Sequence, residues 1–220
     1  MSDARDLSLA TRAITPAGLK IRTAAAEDAP TIAALLVEGF AAKFRVLFGN
    51  RLKQVGRLLA RVLADQLAKD RGGAFVAELD SRLVGVVYTE PPLPTWREGL
   101  AYAGMALGEL GLWGSIRALP GALLLDYPST PGDLYISELT VAEAARGRRI
   151  GQALLDAAAR QGREQGKRRL TLHVAANNDP AIRLYRRYGF QVANRERFLF
   201  TWLLFGIGEW HFMVKYLQEE

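Results

Sequence analysis

Residues 139–153 read LTVAEAARGRRIGQA. The β-branched Thr140 and Val141 close an extended run, Leu134–Val141 (LYISELTV). A short loop then carries Arg146-Gly147-Arg148-Arg149-Ile150-Gly151. From Arg149 to Gly162, apolar residues at Ile150, Ala153, Leu154, Ala157 and Ala158 recur at helical spacing. A strand, a basic glycine-containing loop and a helix start, in that order, make a cradle for an anion. The first turn of a helix has unpaired N–H groups and a partial positive charge. Glycine lets the backbone approach a ligand, and arginine adds charge and forked donors. That chemistry suits a diphosphate better than a carboxylate. The loop lacks the Gly-Lys-Ser/Thr of a Walker loop and the G-x-G-x-x-G dinucleotide fingerprint. By itself it leaves open a plain basic loop with Gly147 as an ordinary turn residue.

Reading outward gives the order of elements. Leu19–Thr23 (LKIRT) reads as a short strand after a loose tail, residues 1–18. Asp28 before Pro30, followed by Ile32, Leu35, Leu36 and Phe40, marks a capped helix. A second helix is expected from about Arg51 to Lys69, with Val55, Leu58, Leu59, Val62, Leu63 and Leu67 on one side. Ala74–Leu79 and Leu83–Thr89, separated by Asp80-Ser81-Arg82, read as a β-hairpin. Residues 96–126 are apolar and helical in flavour, broken by glycines and Pro120. Leu170–Val174 is a strand, Pro180–Tyr188 a helix opened by Asn178 or Asp179 and closed by Gly189, and Trp210–Leu217 a last strand. The apolar run Phe198–Gly208 falls where a late hairpin should lie. The unit from Leu134 to Val174 predicts a right-handed crossover between parallel strands. Together these predict an α/β (α+β) fold, a mixed sheet with helices on both faces. The expected organisation is a single domain over 19–220 with a helical insertion at about 91–132.

Composition narrows the chemistry. The chain has 220 residues, 29 Lys and Arg against 23 Asp and Glu, and no cysteine. Disulfides, thiolate metal sites and a cysteine nucleophile are thereby excluded. Two histidines, His173 and His211, are too few for a multi-histidine metal centre, so no metal is expected. The N-terminus carries acids and no apolar run, and no window reaches the roughly 18–20 apolar residues of a span. Neither a secretory signal nor an integral membrane segment is expected, and a cytoplasmic location is. Residues 141–197 hold 13 Lys and Arg against 5 Asp and Glu. Such a stretch suits a phosphate-rich cofactor, a nucleic acid or an anionic membrane, or else it is a solvated helix face.

Two motifs carry a resemblance. Val141–Leu155 (VAEAARGRRIGQALL) resembles the acyl-CoA-binding motif of the GNAT superfamily of N-acetyltransferases, Gln/Arg-x-x-Gly-x-Gly/Ala after a β-strand. Asn178–Phe190 (NDPAIRLYRRYGF) resembles their second motif, Asn-x-x-Ala-x-x-x-Tyr-x-x-x-Gly-Phe. The likeness is close over Leu134–Phe190 and extends by element order to residues 19–90 and 210–217. One position departs: Arg149 stands at the middle glycine, where it keeps its amide as a donor.

The resemblance implies the acyl-CoA N-acyltransferase fold, a mostly antiparallel sheet with one parallel pair that splays to admit the pantetheine arm. It implies acetyl-CoA as the cofactor, with Leu139 and Val141 as pantetheine contacts. Arg146, Gly147, Arg148, Arg149, Gly151 and Gln152 would surround the diphosphate, and Asn178 would touch the cofactor beyond it. No nucleic acid is then needed to account for the basic region. The implied reaction is transfer of an acetyl group to a primary amine, of a small molecule or a protein, by direct attack in a ternary complex. Tyr185 would give a proton to the departing thiolate. Glu138 is the candidate base; simple alternation puts it on the side of Leu134 and Ile136 unless a bulge intervenes. Glu143 reads as solvated, and His173 and His211 as hydrogen-bonded sheet residues. The insertion presents apolar surface that needs cover: it would roof the acceptor pocket, form a homodimer interface, pack on the core, or touch a membrane peripherally. A non-catalytic coenzyme A-binding sensor or scaffold is the competing reading.

Overall fold

The computed structural model describes residues 16–69, 73–89, 94–123, 130–198, 201–202 and 206–217. Seven strands form one sheet: β1 (Leu19–Thr23), β2 (Gly73–Leu79), β3 (Arg82–Thr89), β4 (Asp133–Val141), β5 (Arg169–Ala175), β6 (Gln191–Arg197) and β7 (Glu209–Tyr216). Their order is β1-β2-β3-β4-β5-β7-β6. Every neighbouring pair is antiparallel except β4–β5. This is the mixed, mostly antiparallel sheet with one parallel pair that the sequence predicts. The helices are α1 (Ala29–Gly39), α2 (Ala41–Phe48), α3 (Leu52–Ala68), α4 (Trp96–Leu123), α5 (Ile150–Glu164) and α6 (Asp179–Tyr188).

Each face of the sheet has its own core. On one face Leu154, Leu155 and Ala158 of α5 and Ile182 and Tyr185 of α6 pack with Val87, Leu134, Ile136, Leu170, Leu172 and Met213. On the other, Ile32, Ala33 and Leu36 of α1 and Leu63 of α3 cover Ala74, Val76, Val86 and Tyr88. The β2–β3 hairpin turns on Asp80 and Ser81, both at positive φ (50° and 61°), the geometry of a two-residue turn that matches strand twist. Arg82, read as part of the turn, is the first residue of β3.

Three expectations change. A separate α2 follows α1, because Phe40 leaves helical geometry (φ −113°, ψ 21°) and Gly49 ends the new helix at φ 57°. Asp28 stands at the start of α1 but does not cap its amides. Its carboxylate accepts from both terminal nitrogens of Arg22 (2.6 and 2.8 Å) and from the Ala25 amide at 2.8 Å. The helix start is thus tied to β1, and the Arg22 guanidinium holds the Asp28 carboxyl below the usual carboxylate range. The third concerns the insertion. Of the alternatives for its apolar surface, packing on the core holds for the buried Leu110, while α4 meets α3 through polar side chains, Glu98 with Lys69 and Tyr102 with Asp65. Residues 1–15 of the expected tail, 91–93 and 124–129 of the insertion, and 199–200 and 203–205 of the late apolar run lie outside the described residues.

The parallel pair is clipped at its first register position, Asp133 opposite Arg169. Arg169 donates from Nε and one terminal nitrogen to the two carboxylate oxygens of the buried Asp133, at 2.7 and 2.8 Å. A fork-to-fork pair with one buried partner resists shear between the strands. Asp133→Ala is therefore expected to lower unfolding free energy in urea by about 2–3 kcal/mol, less than a fully buried pair because Arg169 is partly solvated.

Candidate functional site

The site begins where β4 and β5 part. They pair over only four positions, Asp133–Ile136 with Arg169–Leu172. Beyond that β4 runs on to Val141 and β5 to Ala175 without pairing to each other. The cause lies on the β3 side of β4. The register with β3 jumps from Thr89 opposite Ile136 to Tyr88 opposite Glu138, leaving Ser137 as an extra residue. Such a bulge bends and twists its strand.

The bulge also exchanges the faces of β4. Before it, Leu134 and Ile136 pack under α5. After it, Leu139 and Val141 do so. Glu138 and Thr140 now stand opposite Tyr88 and Val86, which pack under α1 and α3. A Cβ on Gly39 of α1 would collide with the Thr140 hydroxyl, which confirms the close approach of α1 to that face. Glu138 therefore lies on the face opposite the one simple alternation assigns.

Around the gap stand several groups able to handle protons. The Tyr185 ring is buried, edge-on to Phe190 at 5.7 Å. Burial, with the nearby Glu138 charge, pushes its hydroxyl well above the usual phenol range. It is thus a protonated donor at neutral pH. The Tyr88 hydroxyl is also pushed up by burial, and it has no hydrogen-bond partner among the described residues.

His173 is the first residue of β5 beyond the last β4–β5 pair. The sequence reads it as a hydrogen-bonded sheet residue, and it is one. Its Nδ1 lies 3.2 Å from the Tyr135 hydroxyl and its Nε2 3.3 Å from Glu196 of β6, with the Phe212 ring of β7 4.9 Å away. Burial lowers its pKa, against the opposing pull of Glu196. The shift favours the neutral imidazole, which carries one lone pair. Only the β4–β5 register reveals that it sits at the mouth of the gap. His211 contacts Glu209 at 3.3 Å.

The loop after β4 carries the remaining candidates. Arg146, Gly147, Arg148 and Arg149 are exposed. Among the described residues, no backbone carbonyl takes the amides of Gly147, Arg148, Arg149, Ile150 or Gly151. Five successive free amides at a helix N-terminus form an anion nest. Two left-handed residues shape it: Gly147 at φ 78° and Arg149 at φ 59°. The second explains the pattern's preference for glycine at the Arg149 position. A Cβ on Gly151 would come within 3.0 Å of Leu184 on α6, so glycine there lets α5 and α6 converge. Arg146 Nε donates to the Val141 carbonyl at 3.2 Å, joining the loop to the strand end. Gln152 opens the first turn of α5, its amide on the Arg149 carbonyl at 3.0 Å. Asn178 caps α6, its side-chain oxygen accepting from the Ala181 amide at 3.3 Å. Glu143 is exposed, and its amide donates to Glu38 of α1 at 2.8 Å.

Comparison with known proteins gives the family and the fold. Residues 42–190 match the Acetyltransferase (GNAT) family. A mycothiol acetyltransferase of Corynebacterium aurimucosum is 42% identical over 62 residues, 28% of this chain and 20% of that protein. A streptothricin acetyltransferase of Streptomyces lavendulae is 40% identical over 72 residues, 33% of this chain and 38% of that protein. The matched stretch thus spans well under half the length of either relative. Among solved structures, an acetyltransferase crystal structure superposes with a TM-score of 0.59 at 23% identity, covering 90% of this chain and all of the other. The YncA protein of Salmonella typhimurium, solved with its cofactor acetyl-CoA, superposes at 0.56 with 18% identity, covering 92% of this chain and 96% of the other. At these identities the likeness establishes the acyl-CoA N-acyltransferase fold.

Substitutions at the two left-handed positions should separate. Gly147→Ala places a Cβ at a conformation that costs an L-residue roughly 1–2 kcal/mol. Arg149→Gly relieves the same cost and offsets part of it with chain entropy of about 0.5–1 kcal/mol. Urea unfolding should show Gly147→Ala less stable than the parent and Arg149→Gly equal or slightly more stable.

Proposed function

The chain belongs to the acetyltransferase (GNAT) family, and from that premise we propose that it transfers an acetyl group from acetyl-CoA to a primary amine by direct attack in a ternary complex. The observation that carries this reading is the β5-facing edge of β4 over residues 137–141, which β5 leaves unpaired and which leads into five amides that no backbone carbonyl takes among the described residues. An extended arm with amides of its own fits the first, and a diphosphate fits the second. Leu139 and Val141 would hold the arm. Arg146, Gly147, Arg148, Arg149, Gly151 and Gln152 would hold the phosphates, with arginine charge favouring the polyanion. Asn178 supports this end by fixing the start of α6. Acetyl-CoA would supply an activated acyl carbon and a thiol leaving group.

The acceptor must arrive as a free amine, since an ammonium with a pKa near 10 has no lone pair to offer. Glu138 and His173 both lie at the gap, and either takes the proton as the new C–N bond forms. Tyr185 gives its proton to the sulfur as the C–S bond breaks. The buried Tyr88 hydroxyl, beside Glu138 in the β-sheet register, offers the acceptor a hydrogen bond. No acceptor is singled out by these groups beyond its amine. A coenzyme A-binding module without transfer activity would use the same cradle but have no use for Tyr185.

Thiol release from acetyl-CoA across a panel of small amines and peptides tests this. Tyr185→Phe should lower kcat by about a hundredfold or more, with coenzyme A affinity by calorimetry unchanged. Loss of turnover in the parent chain with intact coenzyme A binding would establish the non-catalytic module instead. The proton acceptor is separable by pH. Because the His173 pKa is lowered from 6.5, its neutral form persists down through that value. A kcat/KM that falls only below pH 6.5, and loses that acid limb in His173→Gln but keeps it in Glu138→Gln, assigns the proton to His173. The reverse pattern assigns it to Glu138.

A further inference from the structure

The polar side chains of α4 face the protein beside the buried Leu110 and the half-buried Met105, while a run of its apolar side chains faces outward. Glu98, Tyr102 and Glu109 lie on one stripe of the helix, and all three meet α3. Glu98 accepts from Lys69 at 2.9 Å, the Tyr102 hydroxyl donates to Asp65 at 2.8 Å, and Glu109 accepts from Arg57 at 2.9 Å with Arg61 at 3.5 Å. The Glu98 and Glu109 side chains are consequently only 14% and 18% exposed. Burial and the Asp65 contact push the Tyr102 hydroxyl up to about 12. On the opposite stripe stand Trp96, Leu100, Ala103 and Leu107, with Trp96 71% and Leu100 66% exposed. The helix breaks at Gly111 (φ 69°, ψ 177°), where Arg51 donates to the Leu110 carbonyl at 2.7 Å. Apolar exposure continues past the break with Leu112 and with Trp113 at 76%.

A helix lying on a water-soluble domain usually has the reverse arrangement. Here two tryptophans bracket an apolar stripe, and neither acid of residues 96–116 points outward. Charge selects what the stripe fits. Residues 41–69 and 96–116 hold eight Lys and Arg against three acids, Asp65, Glu98 and Glu109. All three acids lie in the seam between α3 and α4. Exposed cations stand on the same lobe, among them Arg45 and Lys53, and the Arg97 guanidinium lies 5.2 Å over the Trp96 ring of the stripe itself. Two copies meeting over the stripe would bring two cation-rich lobes together. An anionic lipid surface accepts both features: rings and leucines enter the headgroup–acyl boundary, and the cations meet the phosphates. Among the described residues no helix is long and apolar enough to cross a membrane, so such contact would lie in the plane of the surface.

We propose that the outward stripe of α4, with Arg97 beside it and exposed cations on the same lobe, docks this protein on an anionic lipid surface. Flotation of the full chain tests it, with vesicles of equal parts phosphatidylcholine and phosphatidylglycerol against phosphatidylcholine alone. The chain should float with the mixed vesicles, far less with the neutral ones, and be released by molar salt. The double substitution Trp96→Ser, Trp113→Ser should lower the partition coefficient about tenfold or more, with urea unfolding unchanged because both rings are exposed. Failure to float with the mixed vesicles, equal binding to both kinds, or partition indifferent to the double substitution would each overturn it. So would a concentration-dependent dimer in sedimentation velocity that the same substitution abolishes, which assigns the stripe to a second copy.

Discussion

Parallel strands β4 and β5 cannot remain paired once β4 has absorbed an extra residue against β3. Four pairs form, anchored by the Asp133–Arg169 fork at the closed end. Then Ser137 bends the strand and the ladder ends. The rest of the site depends on that single irregularity. It opens a gap with unpaired backbone along one edge. It turns Leu139 and Val141 under α5 and sends Glu138 to the other face. It also leaves His173 as the first β5 residue beyond the pairing, with Tyr135 and Glu196 beside its two ring nitrogens.

The loop beyond the gap answers the same geometry at its far end. A chain leaving β4 must reverse within a few residues to start α5 against the same sheet. It does so by placing Gly147 and Arg149 in left-handed conformations. That path points successive amides outward, which is costly in a buried loop and harmless in an exposed one. Arginine at the second position tolerates the conformation at some strain and adds a cation beside the amides. The strain and the charge come from one residue, so the departure from glycine has a structural cost and an electrostatic use.

Much of this was legible in the linear chain. β1 falls on Leu19–Thr23 as read, the hairpin turns at Asp80-Ser81, and α5 and α6 start within a residue of their expected places. Periodicity, turn residues and caps are local signals, and these elements obey them. The misses share a different cause. α2 was hidden because the break at Gly39-Phe40 falls inside one helical spacing of apolar residues, and a lone glycine there does not by itself signal a new helix. Asp28 has the residue type of a cap, yet a guanidinium on a neighbouring strand captures it. α4 reads as an apolar helix in need of cover, whereas three scattered polar residues hold it to α3.

The sequence by itself determined the order of elements, the parallel crossover and the anion-seeking loop, because each is set by residues within one turn or one strand of each other. The tertiary structure alone decided which face Glu138 occupies, that His173 borders the gap, and that Trp96, Leu100 and Leu107 of α4 turn outward. Those outcomes depend on pairing register and on polar contacts between segments tens of residues apart, and a one-residue shift in register reverses every side chain beyond it.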